Sequence, residues 1–132
     1  MKSADLHKVW GAPDNSRLTA KQQSFRLPTH VAAKIDALCD IYPTRTKTEI
    51  VGDLLAAALE DLIPNLPSAA GAEVGKDPDH GVLYEETGLI AEFRLRANKH
   101  FKDLEKELGN KEAAEIYASQ YVISENDLKA AN

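Results

Sequence analysis

The run Lys21-Gln-Gln-Ser-Phe-Arg-Leu-Pro28 constrains this chain more than any other stretch, because it reads as one β-strand with no second strand beside it. Strand alternation puts Gln23, Phe25 and Leu27 on one face and Gln22, Ser24 and Arg26 on the other. The first face carries apolar side chains and the second carries hydrogen-bonding groups. A solitary strand leaves its backbone N–H and C=O groups unpaired, and even a strand pair is marginal in water without further cover. The economical remedy is pairing with the same strand of a second copy, which makes a two-stranded ribbon. This one short run therefore predicts a dimer.

Two short helices are expected next. Pro28 suits a helix entrance, where its missing N–H costs nothing. Val31, Ala32, Ile35, Leu38 and Cys39 then recur at steps of three and four, the spacing of one helical face. Pro43 ends that helix by forcing its predecessor out of the helical region. Thr46-Lys47-Thr48-Glu49 matches a capping box, with a hydroxyl for one orphan N–H and a carboxylate reaching back. Ile50, Val51, Leu54, Leu55, Ala58, Leu59 and Leu62 continue as a wide apolar stripe up to Pro64 and Pro67.

The rest of the chain carries weaker signals. Residues 1–20, with Gly11, Pro13, Asn15 and Ser16 and an isolated Trp10, read as a flexible arm. Residues 63–82 read as a linker, supported by Gly71, Gly75 and Gly81. Leu83, Leu89, Ile90, Phe93, Ala97, Phe101, Leu104 and Leu108 trace a third amphipathic helix, with Glu85-Glu86 as a solvated pair at its start. Gly109-Asn110 supplies a stop and a new cap, and Ala113, Ile116, Tyr117, Tyr121 and Val122 suggest a fourth helix. The end, from residue 124, is polar. The fold class expected is mainly α, one ribbon strand and two helices over residues 21–62 plus a helical extension over residues 83–132.

Composition narrows the function classes. Hydrophobic residues make up 43% of the 132, enough for a core, whereas aromatics at 6% argue against one large core. No apolar run approaches the ~18 residues that span a bilayer. Residues 1–20 lack a secretory apolar stretch, and Cys39 is the single cysteine, so a cytoplasmic protein without disulfides is expected. His7, His30, His80 and His100 form no metal-ligand spacing, and neither a metal nor another cofactor is expected. No nucleophile elbow, phosphate-binding Gly loop or paired-carboxylate pattern appears, so an enzyme is not expected. Tyr84, Tyr117 and Tyr121 read as packing residues, and Cys39 as a small apolar core residue. The net charge of −5 opposes nucleic-acid binding at first sight. Within residues 21–62, however, no acid lies between Lys21 and Lys34, and Asp36, Asp40, Asp53, Glu60 and Asp61 fall farther along the helices. Local field governs the approach of a charged partner, while the total predicts weak non-specific affinity.

Ser24-Phe25-Arg26-Leu27-Pro28, the apolar set from Val31 to Leu38, and Thr46-Lys47-Thr48-Glu49-Ile50 together resemble the ribbon-helix-helix family of dimeric DNA-binding proteins, the Arc and MetJ type. The resemblance covers about residues 21–62 and rests on the order and spacing of the motifs. In that family two strands pair antiparallel and enter the major groove. The resemblance implies that Gln22, Ser24 and Arg26 read base edges. Arginine can fork onto guanine, glutamine can pair with adenine, and serine accepts either partner. It also implies a phosphate grip at the start of the second helix, through backbone N–H groups at Thr46, Lys47 and Thr48 and the Lys47 and Thr48 side chains. Lys21 and Arg45 are expected as further backbone contacts. Gln23 departs from the family pattern, which places an apolar residue there.

These expectations describe a homodimer, or a tetramer built from it, that binds double-stranded DNA as a transcriptional repressor at a two-fold or tandemly repeated operator. Residues 83–132 are expected to carry an oligomer or protein-partner contact. An antitoxin whose tail over residues 83–132 neutralises a toxin shares the same head. So does an accessory protein of plasmid partition or a relaxosome.

Overall fold

The computed structural model describes Leu6 and residues 17–131 of the chain. Apart from Leu6, the expected N-terminal arm up to Ser16, with His7 and Trp10, lies outside the described residues. The chain divides into two compact units, Met1–Asn65 and Leu66–Asn132.

The first unit follows its punctuation residues. Helix α1 runs Thr29–Ile41, and the Pro28 carbonyl accepts from Val31 and Ala32 N–H groups, each at 3.0 Å. Tyr42 closes it with a 2.9 Å bond to the Leu38 carbonyl, just before Pro43. Helix α2 runs Lys47–Leu62, with Thr46 as its N-cap and the capping box fully formed. A short 3-10 turn, Ile63–Asn65, follows it. Ile50 is completely buried and packs with Leu6 and Ala57 against the partly buried Leu38, Cys39, Tyr42 and Leu54. Burying one such side chain stabilises by roughly 1.5–3 kcal/mol, so this cluster is what joins α1 to α2. The core placement expected for Leu38, Cys39, Ile50 and Leu54 is thus observed, whereas Leu55, Leu59 and Leu62 remain exposed.

The second unit overturns the expected fold class. The chain is not mainly α with a helical extension; it is mixed α/β, with a three-stranded antiparallel sheet in order β1-β2-β3. Strand β1 spans Ala69–Asp77, where a linker was expected, and β2 spans Gly81–Thr87, where the third helix was expected to begin. They pair from Ala69↔Thr87 to Asp77↔Gly81, with irregularities on β1 on both sides of Glu73. Asp77-Pro-Asp-His is the reverse turn: the Asp77 carboxylate accepts the Asp79 N–H at 2.8 Å. That is the hairpin chemistry of Asp and Pro, which a linker reading passes over.

Helix α3 occupies Leu89–Glu107 and starts later than expected because of Gly88. Gly88 has φ +91°, and a Cβ there would meet the Ala69 nitrogen at 3.1 Å and the Pro67 oxygen at 3.2 Å. Only glycine fits that close approach. At the other end Gly109 (φ +90°) donates to the Lys106 carbonyl and Asn110 to the Glu105 carbonyl, each at 3.0 Å. This is the paired C-terminal lock of a helix ending in a left-handed glycine, as expected from Gly109-Asn110. The fourth helix expected over Ala113–Val122 does not form. Residues 110–121 are irregular, β3 covers Val122–Ser124 beside β2, and a short helix α4 covers Glu125–Ala131.

Candidate nucleic-acid interface

Residues 22–28 form neither helix nor strand within the chain, and all of them are exposed. Gln22, Ser24 and Arg26 face solvent, which leaves their amide, hydroxyl and guanidinium groups accessible. Phe25 is 74% exposed and Leu27 44%, an unusual placement for an aromatic and a leucine on adjacent alternate positions. On α2, Leu55, Leu59 and Leu62 lie at helical spacing and are also exposed, as is Ile41 at the end of α1. One copy of this unit thus leaves apolar side chains uncovered both on the segment before α1 and on α2.

The start of α2 is built by its cap. Thr46 Oγ1 accepts the Glu49 N–H at 3.1 Å, and Glu49 Oε1 accepts the Thr46 N–H at 3.3 Å. The Thr46 N–H, expected to be open to an anion, is therefore already used. Arg45, expected at a DNA phosphate, donates from Nη1 to Glu49 Oε2 at 2.7 Å, and its side chain is only 6% exposed. Its guanidinium belongs to the cap. That Arg45 hydrogen bond, followed by those from Thr46, holds the Glu49 carboxyl below the ordinary glutamate range. Lys47 and Thr48 stay on the surface.

Lys47 has a partner that sequence reasoning did not supply. Its Nζ lies 2.9 Å from Asp36 Oδ1, across from α1. The hydrogen bond and charge of Asp36 raise the Lys47 pKa above its ordinary value. Sequence order placed Asp36 among acids lying away from the positive stretch; the α1–α2 turn brings it back. No spacing rule on either helix signals this pair, because it is tertiary.

The second unit offers a different kind of place. A shallow cavity of about 250 Å³ lies among Glu86, Arg94, Leu95, Asn98, Ser119 and Tyr121. Its cation is committed: Arg94 Nη1 donates to Glu86 Oε1 at 2.7 Å, and the guanidinium sits 3.8 Å from the Tyr121 ring centroid. Glu86, expected as a solvated charge at a helix start, instead lies on β2 in this ion pair, where both side chains are 14% exposed. Tyr117 meets Phe93 edge-on at 5.9 Å. Tyr117 and Tyr121 therefore pack as expected, though from a loop rather than a helix.

Among the described residues no group of three or more His, Cys, Asp or Glu could hold a metal ion, and no helix is long and apolar enough to cross a membrane. No protein family, curated protein or solved structure matches the chain.

Proposed function

We propose that this chain binds double-stranded DNA sequence-specifically as a homodimer and acts as a transcriptional regulator, its Gln22, Ser24 and Arg26 side chains reading base edges. The observation that carries the reading is the exposed run Gln22–Pro28, in which Phe25 and Leu27 are uncovered on alternate positions from Ser24 and Arg26. Pairing this segment with its equivalent in a second copy satisfies both the backbone and the apolar side chains. The resulting two-stranded ribbon has the dimensions that a major groove admits. The exposed Leu55, Leu59 and Leu62 give the second copy further apolar surface to cover. The resemblance of residues 21–62 to ribbon-helix-helix proteins supports the same reading. Lys47, Thr48 and Lys21 are the proposed backbone contacts, and Arg45 is left to the helix cap.

Regulation is favoured over an antitoxin role. An antitoxin tail that orders only on its toxin has little intrinsic structure. Here residues 69–124 already carry the paired strands β1, β2 and β3, closed by their own hydrogen bonds.

Selection from random duplexes tests the proposal, combined with sedimentation of the free chain. The expected result is a dimer at micromolar concentration and an enriched site with two-fold or repeated half-sites. A monomer that enriches no sequence overturns it.

A further inference from the structure

Resting on the DNA-binding reading above, we infer that Asp36 is an intramolecular substitute for a DNA phosphate: it occupies the Lys47 ammonium in the free protein and holds down the affinity of the head for DNA. Three observations converge on it. Lys47 is the first residue of α2, at the positive end of the helix dipole, where an anion is favoured. Its Nζ is 2.9 Å from a carboxylate oxygen contributed by another helix, so the ammonium already has an anionic partner. Both side chains remain about 60% exposed, so a phosphate can reach the same ammonium without opening the core. Beside them the second cation of this helix start, Arg45, is tied to Glu49. The helix entrance is thus neutralised from within by two acids, in a chain whose total charge is −5.

Such a device has a physical consequence for specificity. Phosphate contacts carry most of the sequence-independent affinity, whereas base contacts discriminate. A carboxylate that competes for Lys47 subtracts from binding at every sequence alike. It leaves the base contacts of the ribbon undiminished, and so raises the share of binding energy that depends on sequence.

The test is a double-mutant cycle on the full-length chain with Asp36→Asn, Lys47→Ala and the double variant. Each is titrated with a random-sequence duplex and with the selected site over a range of salt. Asp36→Asn is expected to tighten both duplexes by about two- to fivefold, the size of an exposed pair. It is also expected to steepen the salt dependence by up to about one released counterion. In the Lys47→Ala background the gain is expected to vanish, because the carboxylate then has nothing to occupy. A gain of equal size without Lys47 overturns the inference, since Asp36 then acts only through the general field. Unchanged affinity overturns it as well, provided that the wild-type chain binds the selected duplex. Absence of DNA binding by every form, wild type included, removes the proposed function itself and this inference with it. Asp36→Ser, with circular dichroism of each variant, separates a lost charge from a lost fold.

Discussion

Asn98 holds the backbone of Tyr117 with both of its polar atoms: Nδ2 donates to the Tyr117 carbonyl at 3.0 Å, and Oδ1 accepts the Tyr117 N–H at 2.9 Å. Among the described residues Asn98 is, with Ser124, one of two buried polar residues; it is 7% exposed and sits on α3. The segment it clamps has no ladder of its own, since residues 110–121 are irregular. A side-chain amide thus does for this loop what a neighbouring strand does for β2. It fixes Tyr117 where the ring can meet Phe93.

Removing that clamp leaves a backbone donor and an acceptor short of partners. An unsatisfied buried group costs about 1–3 kcal/mol. Asn98→Ala is accordingly expected to destabilise the loop by about 2–3 kcal/mol. Amide hydrogen exchange is the direct readout, with the Tyr117 N–H exchanging roughly 30- to 150-fold faster by the conversion of 1.4 kcal/mol per decade. An unchanged Tyr117 rate means that the other contacts of the loop, among them Phe93 with Tyr117 and Lys102 with Glu115, hold it without the amide.

What the sequence reveals depends on how local the cause is. The bounds of α1 and α2 are readable because Pro28, Pro43, Thr46 and Glu49 act within a turn of themselves. Gly109-Asn110 marks the end of α3 for the same reason. The sheet is harder to read. β1 contains Ala69, Ala70, Gly71, Ala72 and Gly75, residues poor in strand propensity, and it is irregular around Glu73, so it imitates a linker. The better signals were the turn Asp77-Pro-Asp-His-Gly81 and the β-branched and aromatic content of Val82–Thr87. Ala113, Tyr117 and Tyr121 imitate a helical face by spacing alone; Tyr117 and Tyr121 are drawn instead to Phe93 and Arg94 of α3. At the candidate interface Gln22, Ser24 and Arg26 are exposed, as is every residue from 17 to 30, so their reading as base contacts comes from residue type and alternation. The partner of Lys47 is hidden because the Asp36 carboxylate comes from the neighbouring helix, a matter of tertiary geometry, whereas the Arg45–Glu49 pair is local, four residues apart, and is open to reading.

The cap of α2 sets an acid limit on the first unit. Glu49 titrates below its ordinary range in the folded chain, chiefly through Arg45 and then Thr46. A group with a depressed folded pKa contributes stability that is complete above its unfolded pKa and is lost as pH falls through the folded value. Glu49→Gln is therefore expected to unfold at a lower temperature than the wild-type chain near neutral pH. The two are expected to converge as the pH falls below the ordinary glutamate range. Thr46→Ala is expected to cost about 1 kcal/mol at neutral pH, the usual worth of a helix N-cap. Thermal unfolding followed from pH 7 to pH 3 checks both, and a Glu49→Gln difference that grows in acid contradicts the assignment.

Phe25 separates assembly from folding. Its ring is exposed within one copy, so Phe25→Asp leaves the Ile50 core untouched and is expected to keep the helical content. If the segment pairs across a dimer, two rings lose their cover, about 3–6 kcal/mol in all at 1.5–3 kcal/mol for each. The dimer dissociation constant is then expected to rise at least about hundredfold. Sedimentation equilibrium reads the change, and circular dichroism confirms that the monomer is folded. A Phe25→Asp chain that sediments like the wild type places the dimer contact elsewhere, with Leu55, Leu59 and Leu62 the next surface to substitute.

Arg26 tests whether the segment, if it pairs as proposed, reads sequence or merely joins two copies. Its side chain is exposed, and on a strand it shares a face with Gln22 and Ser24, away from Phe25 and Leu27. A guanidinium forked onto a guanine discriminates by about 1–3 kcal/mol, while a guanidinium on a phosphate discriminates hardly at all. Arg26→Ala is therefore expected to weaken the selected site by about 1–3 kcal/mol, leave random duplexes nearly unaffected, and relax the preference at one position of each half-site. Lys47→Ala, by contrast, is expected to weaken all duplexes alike. Competition titrations with single-base variants of the site distinguish the two patterns. A uniform loss for Arg26→Ala moves this residue to the DNA backbone and leaves base reading to Gln22 and Ser24.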